Sequence, residues 1–166
     1  MSNQAVSRLM QHPVVELNPD YDVELTLNIS RTLGVHHFPL LRCGKLVGMV
    51  CTCDLDEAPR AAHIRDFAHT DVLTVAHDSS IDDAVRLMLD RSVGSAVVLE
   101  HGVMCGIITR EDIERADTAW AAMFAQHRCT ACGATRHLRR TPEGTLCAGC
   151  SGRAHADGWL EAGGGD

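Results

Sequence analysis

Apolar and polar positions along the chain follow one pattern that occurs twice, with the second copy 58 residues after the first. Each copy contains two apolar runs separated by a glycine, a second glycine inside the later run, and then an aspartate. The offset pairs Gly44 with Gly102, Gly48 with Gly106, Val50 with Ile108, Asp54 with Asp112, and residues 15, 17, 23, 27 and 35 with 73, 75, 81, 85 and 93. Nine positions at one offset indicate an internal repeat.

Each copy is predicted to form a β-α-β-β-α unit. A short extended stretch, 14–17 or 73–75, precedes a helix, and in the second copy the polar run 78–80 is typical of a helix N-terminus. Two apolar runs follow the helix, 37–41 with 46–50 in the first copy and 95–99 with 104–108 in the second. A glycine turn between the runs predicts a hairpin in each copy.

A second helix closes each unit. In the first copy it begins near Asp54 and is limited by Pro59, whereas in the second copy it is expected to run from Arg110 to about Gln126. The predicted fold class is therefore α+β, with two β-α-β-β-α repeats followed by a small four-cysteine unit. The expected boundaries are 10–62 and 63–118 for the repeats, 119–127 for a linking helix, 128–156 for the cysteine unit and 157–166 for a flexible tail.

Composition favours a folded domain and argues against a nucleic-acid-coating protein and a membrane protein. The 166 residues carry a formal net charge of −7, and 45% of them are hydrophobic, as in an ordinary folded domain. This acidic balance argues against a surface that coats nucleic acid. The longest apolar stretch in the middle of the chain spans 46–53, and the start has no apolar signal segment, whereas a membrane span needs about 20 residues. We expect a cytoplasmic protein without membrane contact.

The repeated unit resembles the CBS domain, and its tandem form resembles the Bateman module. The resemblance rests on Gly-apolar-apolar-Thr-x-x-Asp in the sequence GIITRED (106–112), and it covers about residues 10–118. In that family the cleft between the two copies usually senses an adenosine-containing ligand such as AMP, ADP, ATP, S-adenosylmethionine or NADH. The resemblance also implies a homodimer and a regulatory, non-enzymatic role.

The second repeat carries the better candidate site for such a ligand. Thr109 ends a predicted strand and offers a hydroxyl to phosphate, while the ionised carboxylate of Asp112 can accept hydrogen bonds from a ribose diol. By the resemblance, Thr109 and Asp112 contact ribose and phosphate, with Ile108 beside them. The adenine would be lined by Thr74, Val75, Gly94, Ser95 and Ala96. The same Thr and Asp also suit an ordinary helix N-cap, in which case neither repeat binds a ligand.

The first repeat departs from this pattern. Asp54 corresponds to Asp112, but Cys51 stands where the second repeat has Thr109, and a thiol is a weak partner for phosphate. His36 and His37 are candidates for a substitute polar contact. We expect one effective site at Asp112 and an altered one at Asp54. The nearby Cys51 and Cys53 face one side of a strand. Buried packing is the favoured interpretation of this pair, and a redox or metal site is the alternative. Cys105 is interpreted as core and Cys43 as an exposed turn residue.

Four further cysteines have the spacing of a metal site. Cys129, Cys132, Cys147 and Cys150 form C-x2-C-x14-C-x2-C, close to the usual zinc pattern. Zn²⁺ is favoured over iron because the segment between the pairs has no aromatic residue to shield an iron centre. An iron-based electron carrier is the weaker alternative.

The segment between the cysteine pairs contains Arg136, His137, Arg139 and Arg140. Over about 127–152 it resembles the DksA/TraR-type zinc finger of bacterial transcription regulators, although the coiled coil of that family is missing. The ribbon is expected to contact a partner, which leaves open a protein such as the transcription machinery, nucleic acid, or a purely structural role. The sequence contains no recognisable catalytic triad or phosphate-binding glycine loop, so an enzyme is not predicted. The main hypothesis is a ligand-sensing regulatory module, and the alternative is a dimeric scaffold or adaptor docking through the ribbon.

Overall fold

The computed structural model describes residues 4–133, 138–142, 144–147 and 150. The second repeat forms the predicted β-α-β-β-α unit, and the first repeat forms the same unit except for its first strand. The first repeat contains helix α1 (Val23–Leu33), strands β1 (His37–Arg42) and β2 (Lys45–Cys51), and the short helix α2 (Thr52–Leu55). The second contains β3 (Thr74–Ala76), α3 (Ile81–Asp90), β4 (Ser95–Glu100), β5 (Val103–Thr109) and α4 (Arg110–Ala116). The predicted α+β class is confirmed.

Local chemistry explains where these elements begin and turn. The side chains of Asp22 and Ser80 accept hydrogen bonds from backbone N–H groups in the first turns of α1 and α3, respectively, so each serves as an N-cap. The β1–β2 turn has positive φ at Cys43 (51°) and Gly44 (74°), and the β4–β5 turn repeats this at His101 and Gly102. Two successive positive φ angles are typical of the tight turns that join twisted antiparallel strands.

The first strand of the second repeat has a weaker counterpart in the first repeat. There the predicted strand 14–17 is reduced to one parallel bridge between Leu17 and Leu40. In the second repeat, Val97 donates to the Leu73 carbonyl and His77 to the Leu99 carbonyl. The residues that correspond to these two donors are Pro39 and Pro19, which have no N–H. Two prolines therefore remove the outer hydrogen bonds and shorten the strand.

The segment that precedes each repeat packs on the other repeat. The N-terminal arm, residues 4–13, bonds to the second repeat, where Val6 donates to the Ser79 carbonyl and Val6 is fully buried. The connecting arm, residues 62–72, bonds to the first repeat, where Ile64 donates to the Tyr21 carbonyl and is also fully buried. Val6 and Ile64 are 58 residues apart, so the two arms, each of which packs on the other repeat, also follow the 58-residue offset. The expected start at residue 10 leaves out the first half of the N-terminal arm.

Three apolar clusters form the core. One lies in the second repeat, one in the first, and a third joins the two sheets through Met49, Val97 and Ile107. Cys105 packs at the edge of the second-repeat cluster, and burial, aided by the charge of Glu100, raises the pKa of its thiol, in agreement with its predicted core position.

The helix predicted from Arg110 to Gln126 is interrupted. Asp117 has extended backbone angles, ends α4, and accepts a hydrogen bond from the Ala119 N–H at the start of α5 (Thr118–Gln126). Aspartate competes in this way with helical bonding and favours a cap. Helix α5 is more than a link, because Trp120 and Phe124 are buried in the core of the second repeat and Trp120 donates to Asp82 at 2.7 Å.

The cysteine unit contains an antiparallel hairpin, β6 (Leu138–Thr141) and β7 (Gly144–Cys147). The side chains of Arg136 and His137 and the predicted tail 157–166 lie outside the described residues, as does 151–156 of the expected unit. Among the residues that are described, no helix combines the length and apolar character needed to cross a membrane.

Candidate functional site

Two cavities lie between the repeats and are related by the 58-residue offset. The larger, about 260 Å³, is called the Thr109 cavity and is lined by Gln11, residues 34–37, Cys51, Cys53, Gly94, Ile107, residues 109–111 and Glu114. The smaller, about 220 Å³, is called the His69 cavity and is lined by His37, Met49, Cys51, His69, residues 71–73, residues 91–95 and Leu138. Residues 34–37 of the first correspond to 92–95 of the second, so the repeats form two equivalent sites with different chemistry.

The Thr109 cavity ends at the junction of β5 and α4. The Thr109 hydroxyl accepts from the Asp112 N–H at 3.3 Å, and the Thr109 N–H donates to Asp112 Oδ2 at 2.9 Å. The Thr109 hydroxyl also donates to Asp112 Oδ2 at 2.6 Å, and Gln11 Nε2 of the N-terminal arm donates to Asp112 Oδ1 at 2.6 Å. The capping arrangement considered from sequence is therefore present.

This network gives Asp112 a structural role, while its contact with a ribose stays a prediction. Its side chain is buried, both carboxylate oxygens already accept hydrogen bonds from the protein, and it is absent from the lining of both cavities. Asp112 holds the N-terminal arm and the start of α4 in place. The side chains that line the cavity at this junction are instead Thr109, Arg110 and two glutamates, Glu111 and Glu114.

Arg110 was not selected from the sequence, although it directly follows Thr109. Its guanidinium carbon lies 4.6 Å from the centroid of the Phe124 ring, and its Nε and Nη1 are buried without a hydrogen-bond partner among the described residues. Burial, followed by the charge of Arg128, lowers the pKa of Arg110, and Glu114 opposes that effect. Arginine nevertheless remains charged. A cation that stacks on an aromatic ring therefore borders the cavity.

The equivalent junction in the first repeat is built differently. Cys51 occupies the N-cap position of α2 without a side-chain capping bond, and it forms a disulfide with Cys53. The interpretation of these two cysteines as simple buried packing is therefore wrong for Cys53, which is exposed and covalently paired. Asp54 Oδ2 lies 3.3 Å from His69 Nε2, and His69 corresponds to Gln11 at the other junction.

The remaining predicted ligand residues divide into two groups. His36, His37, Gly94 and Ser95 line one or both cavities, and His36 Nδ1 lies 3.3 Å from the Thr52 hydroxyl. Val75, Ala96 and Ile108 are buried in the second-repeat core, and Thr74 is exposed on β3. Those four side chains line neither cavity. The predicted adenine contacts were all taken from the second repeat, whereas each cavity is completed by residues of the opposite repeat, such as 34–37 in the Thr109 cavity.

The four cysteines of the C-terminal unit converge. Their sulfur atoms all lie within 4.8 Å of one another, and Cys132 Sγ is 3.6 Å from Cys147 Sγ. A tetrahedral Zn²⁺ with Zn–S bonds of about 2.3 Å places its sulfurs about 3.8 Å apart, so the donor set fits this ion. Gly133, which follows the first pair, has a φ of 77°, and the Thr130 N–H bonds to the Thr145 carbonyl at 2.8 Å, which holds the first pair against the hairpin.

Backbone and thiol groups give these cysteines unequal acidity. The backbone N–H of Cys147, followed by those of Cys132 and Ala131, lowers the pKa of Cys129 to about 6, although burial acts in the opposite direction. Hydrogen bonds with the other three thiols, Cys132 first, raise the pKa of Cys150 to about 12. Converting all four to thiolates at neutral pH therefore requires a bound cation.

Comparison with known proteins agrees with this architecture. The model of the CBS domain family matches residues 6–60 and 64–118, more than half of the chain. The inosine-5′-monophosphate dehydrogenase of Thermoplasma acidophilum is 25% identical over 101 residues, which cover 60% of this chain and 21% of that protein. The matches to curated relatives span between 21% and 43% of those proteins' own lengths.

Solved structures show the same fold. The CBS domain pair of protein MJ0100, solved with 5′-methylthioadenosine and S-adenosyl-L-methionine, matches with a TM-score of 0.65 and 22% identity, covering 69% of this chain and 96% of that one. The cytosolic domain of the Mg²⁺ channel MgtE in complex with ATP matches with a TM-score of 0.60 and 22% identity, covering 70% and 50%. The matched pair of domains and the two inter-repeat cavities lead to one conclusion. The chain belongs to the CBS domain family and carries two CBS domains in tandem.

Proposed function

We propose that this chain is a regulatory CBS pair that binds an adenosine-containing ligand between its repeats and is coupled to a C-terminal zinc ribbon. The observation that carries the proposal is the Thr109 cavity, which joins the motif of one repeat to residues 34–37 of the other. A ligand that spans both repeats can favour one relative arrangement of them, which is the requirement for regulation by binding. The ligand-bound structures of MJ0100 and MgtE support the ligand class.

Within the Thr109 cavity we assign the anionic part of the ligand to Thr109 and Arg110. The arginine supplies positive charge, and the threonine supplies a hydroxyl. The flat base would lie against Gly94, where the absence of a side chain leaves room beside His37. The His69 cavity has Cys51 at the position that corresponds to Thr109, without a hydroxyl to offer, and is the weaker site.

Ligand binding is tested by titrating the full chain with AMP, ADP, ATP, S-adenosylmethionine and NADH while following thermal unfolding. A ligand at ten times its dissociation constant stabilises the protein by about 1.4 kcal/mol, a shift of a few degrees. Arg110→Gln should weaken binding of the phosphate-bearing ligands at least tenfold. Glu57→Gln, an exposed change away from both cavities, serves as the matched control. A flat response to all five ligands in the unmodified protein would favour the alternative of a scaffold or adaptor.

We further propose that the four-cysteine group holds Zn²⁺ and that the ribbon docks a partner, either a protein such as the transcription machinery or nucleic acid. Metal analysis of purified protein should find one Zn²⁺ per chain, lost in Cys132→Ser and kept in Cys43→Ser, which alters an exposed turn thiol. Red, iron-loaded protein would contradict the choice of zinc.

A homodimer is proposed as the assembly state. Leu25 and Leu33 on α1 and Leu87 on α3 are 42%, 54% and 40% exposed, which is apolar helix surface available for a second copy. Sedimentation equilibrium measures the mass directly. A monomer at micromolar concentration would contradict this part of the proposal while leaving ligand binding intact.

A further inference from the structure

The disulfide between Cys51 and Cys53 lies where the two repeats differ most. Cys51 is the last residue of β2 and is 5% exposed, and Cys53 lies on the exposed side of α2. The corresponding residues of the second repeat are Thr109 and Glu111.

This disulfide is not needed to form the junction in which it lies. The second repeat makes the same strand-to-helix junction with the Thr109 capping arrangement and no cysteine pair. In both repeats a backbone bond already closes the junction, from Thr52 to the His36 carbonyl and from Arg110 to the Gly94 carbonyl, each at 2.9 Å. A bridge between residues two apart also closes a very short loop, and in the chain-entropy account a short loop gives a disulfide little stabilising effect.

The pair is accessible to small molecules from the inter-repeat cleft. Cys51 contributes to the lining of both cavities, and Cys53 contributes to the Thr109 cavity. The two Cα atoms are 5.3 Å apart, so the thiols remain close after reduction and can form the bond again with little backbone movement. An accessible, closely spaced pair with little structural role suits reversible chemistry.

We propose that Cys51 and Cys53 form a reversible thiol–disulfide site whose substrates are low-molecular-weight thiols and their disulfides. A thiolate attacks the exposed Cys53 sulfur, forms a mixed disulfide there, and expels Cys51 as a thiolate that takes up a proton. A second thiolate attacks the small-molecule sulfur of the mixed disulfide, releases the symmetrical small-molecule disulfide, and expels Cys53. Two thiols are thereby oxidised, and the protein disulfide is reduced by two electrons. Oxidation follows the same steps in reverse.

The proposal is tested on the native full chain in glutathione buffers of increasing oxidised fraction. After rapid acid quenching and alkylation, trypsin cleavage at Lys45 and Arg60 gives peptide 46–60, which contains these two cysteines and no other. The oxidised fraction of this peptide should follow a two-electron titration and reach the same values from either direction. The peptide 92–110, with its unpaired Cys105, is the internal control and should stay fully alkylatable after denaturation.

Two variants test the assigned order of attack. Cys51→Ser should accumulate glutathione on Cys53, because the resolving thiol is missing, whereas Cys53→Ser should form far less adduct on the buried Cys51. A native peptide 46–60 that stays reduced in excess oxidised glutathione, or stays oxidised in excess dithiothreitol, overturns the proposal. This experiment contains no adenosine ligand, so its result is independent of the proposed function.

Discussion

At the scale of single residues, the sequence motif identifies the β5–α4 junction, but it does not predict the protein partners that the Asp112 carboxylate has there. Asp112 was expected to face a ribose, yet it accepts hydrogen bonds from Gln11 and Thr109. Gln11 comes from an arm 101 residues away in sequence, so spacing within the motif contains no information about that contact. Thr109 was predicted to line this site, whereas Arg110 was missed because its stacking on Phe124 depends on how α5 folds back.

The buried Asp112 network should make a measurable contribution to stability. Asp112→Asn leaves the shape nearly unchanged but weakens charge-assisted bonds that are worth about 1.5–3 kcal/mol each. We expect a loss of about 1–3 kcal/mol in urea unfolding. In a double-mutant cycle with Gln11→Ala, additive losses would contradict a direct Gln11–Asp112 interaction.

The close packing of the N-terminal arm on Gly106 gives a second prediction at this scale. A Cβ on Gly106 would lie 2.5 Å from Met10 Sδ and 3.2 Å from the Gln11 carbonyl oxygen. Gly106→Ala should therefore destabilise the protein by about 1–3 kcal/mol in thermal or urea unfolding. Met10→Ala in the same chain should recover part of the loss by removing the closer atom. A loss that Met10→Ala leaves unchanged would place the conflict at the arm backbone instead.

At the scale of elements, the hairpins and the α1 and α3 helices follow from local patterns, and the strands of both hairpins agree with the predicted runs within one residue at each end. The differences arise where a single residue overrides the pattern. Asp117 divides one expected helix into α4 and α5, and two prolines shorten the first strand. The shortened strand could have been foreseen by comparing the two copies, since Val97 and His77 of the second repeat correspond to Pro39 and Pro19, which have no N–H.

Replacing Pro39 tests this explanation of the shortened strand. In Pro39→Val the new N–H should bond to the Val15 carbonyl, as Val97 does to Leu73. The new hydrogen bond should add about 0.5–1.5 kcal/mol to the free energy of unfolding. Removing the proline also gives the unfolded chain more conformations, which costs about 0.4–1 kcal/mol, so the stability should change little. Amide hydrogen exchange is the informative measurement, and residue 39 should be protected. The reverse change, Val97→Pro, leaves the Leu73 carbonyl without this donor and should cost about 1–3 kcal/mol.

At the scale of the whole molecule, the repeats and the cysteine unit are predicted to respond separately to metal removal. The buried clusters of the repeats use residues between 6 and 124, whereas the proposed zinc ligands begin at Cys129. Chelation should therefore expose amides of β6 and β7 to exchange while the thermal midpoint of the repeats shifts by less than about 3 °C. A collapse of the whole protein on chelation would contradict this separation.

The affinity of the four cysteines for Zn²⁺ should depend on pH, because their thiols must lose protons to bind the ion. Zn²⁺ binds thiolates, and the pKa of Cys150 is raised to about 12, so binding must displace its proton at neutral pH. The apparent affinity should consequently increase as the pH rises from 6 to 8, with proton release measurable by calorimetry in buffers of different ionisation enthalpy. An affinity that is independent of pH would contradict the thiolate assignment.

The exchanged arms mean that the unit repeated in the sequence is not the unit that folds. Val6 completes the core of the second repeat and Ile64 that of the first, so a chain cut between the copies leaves each half with the arm that belongs to the other. One copy by itself would have an arm that cannot fill its own core, and two such chains could each complete the other. On this view, separately expressed halves should be incomplete alone and should restore the native arrangement when mixed.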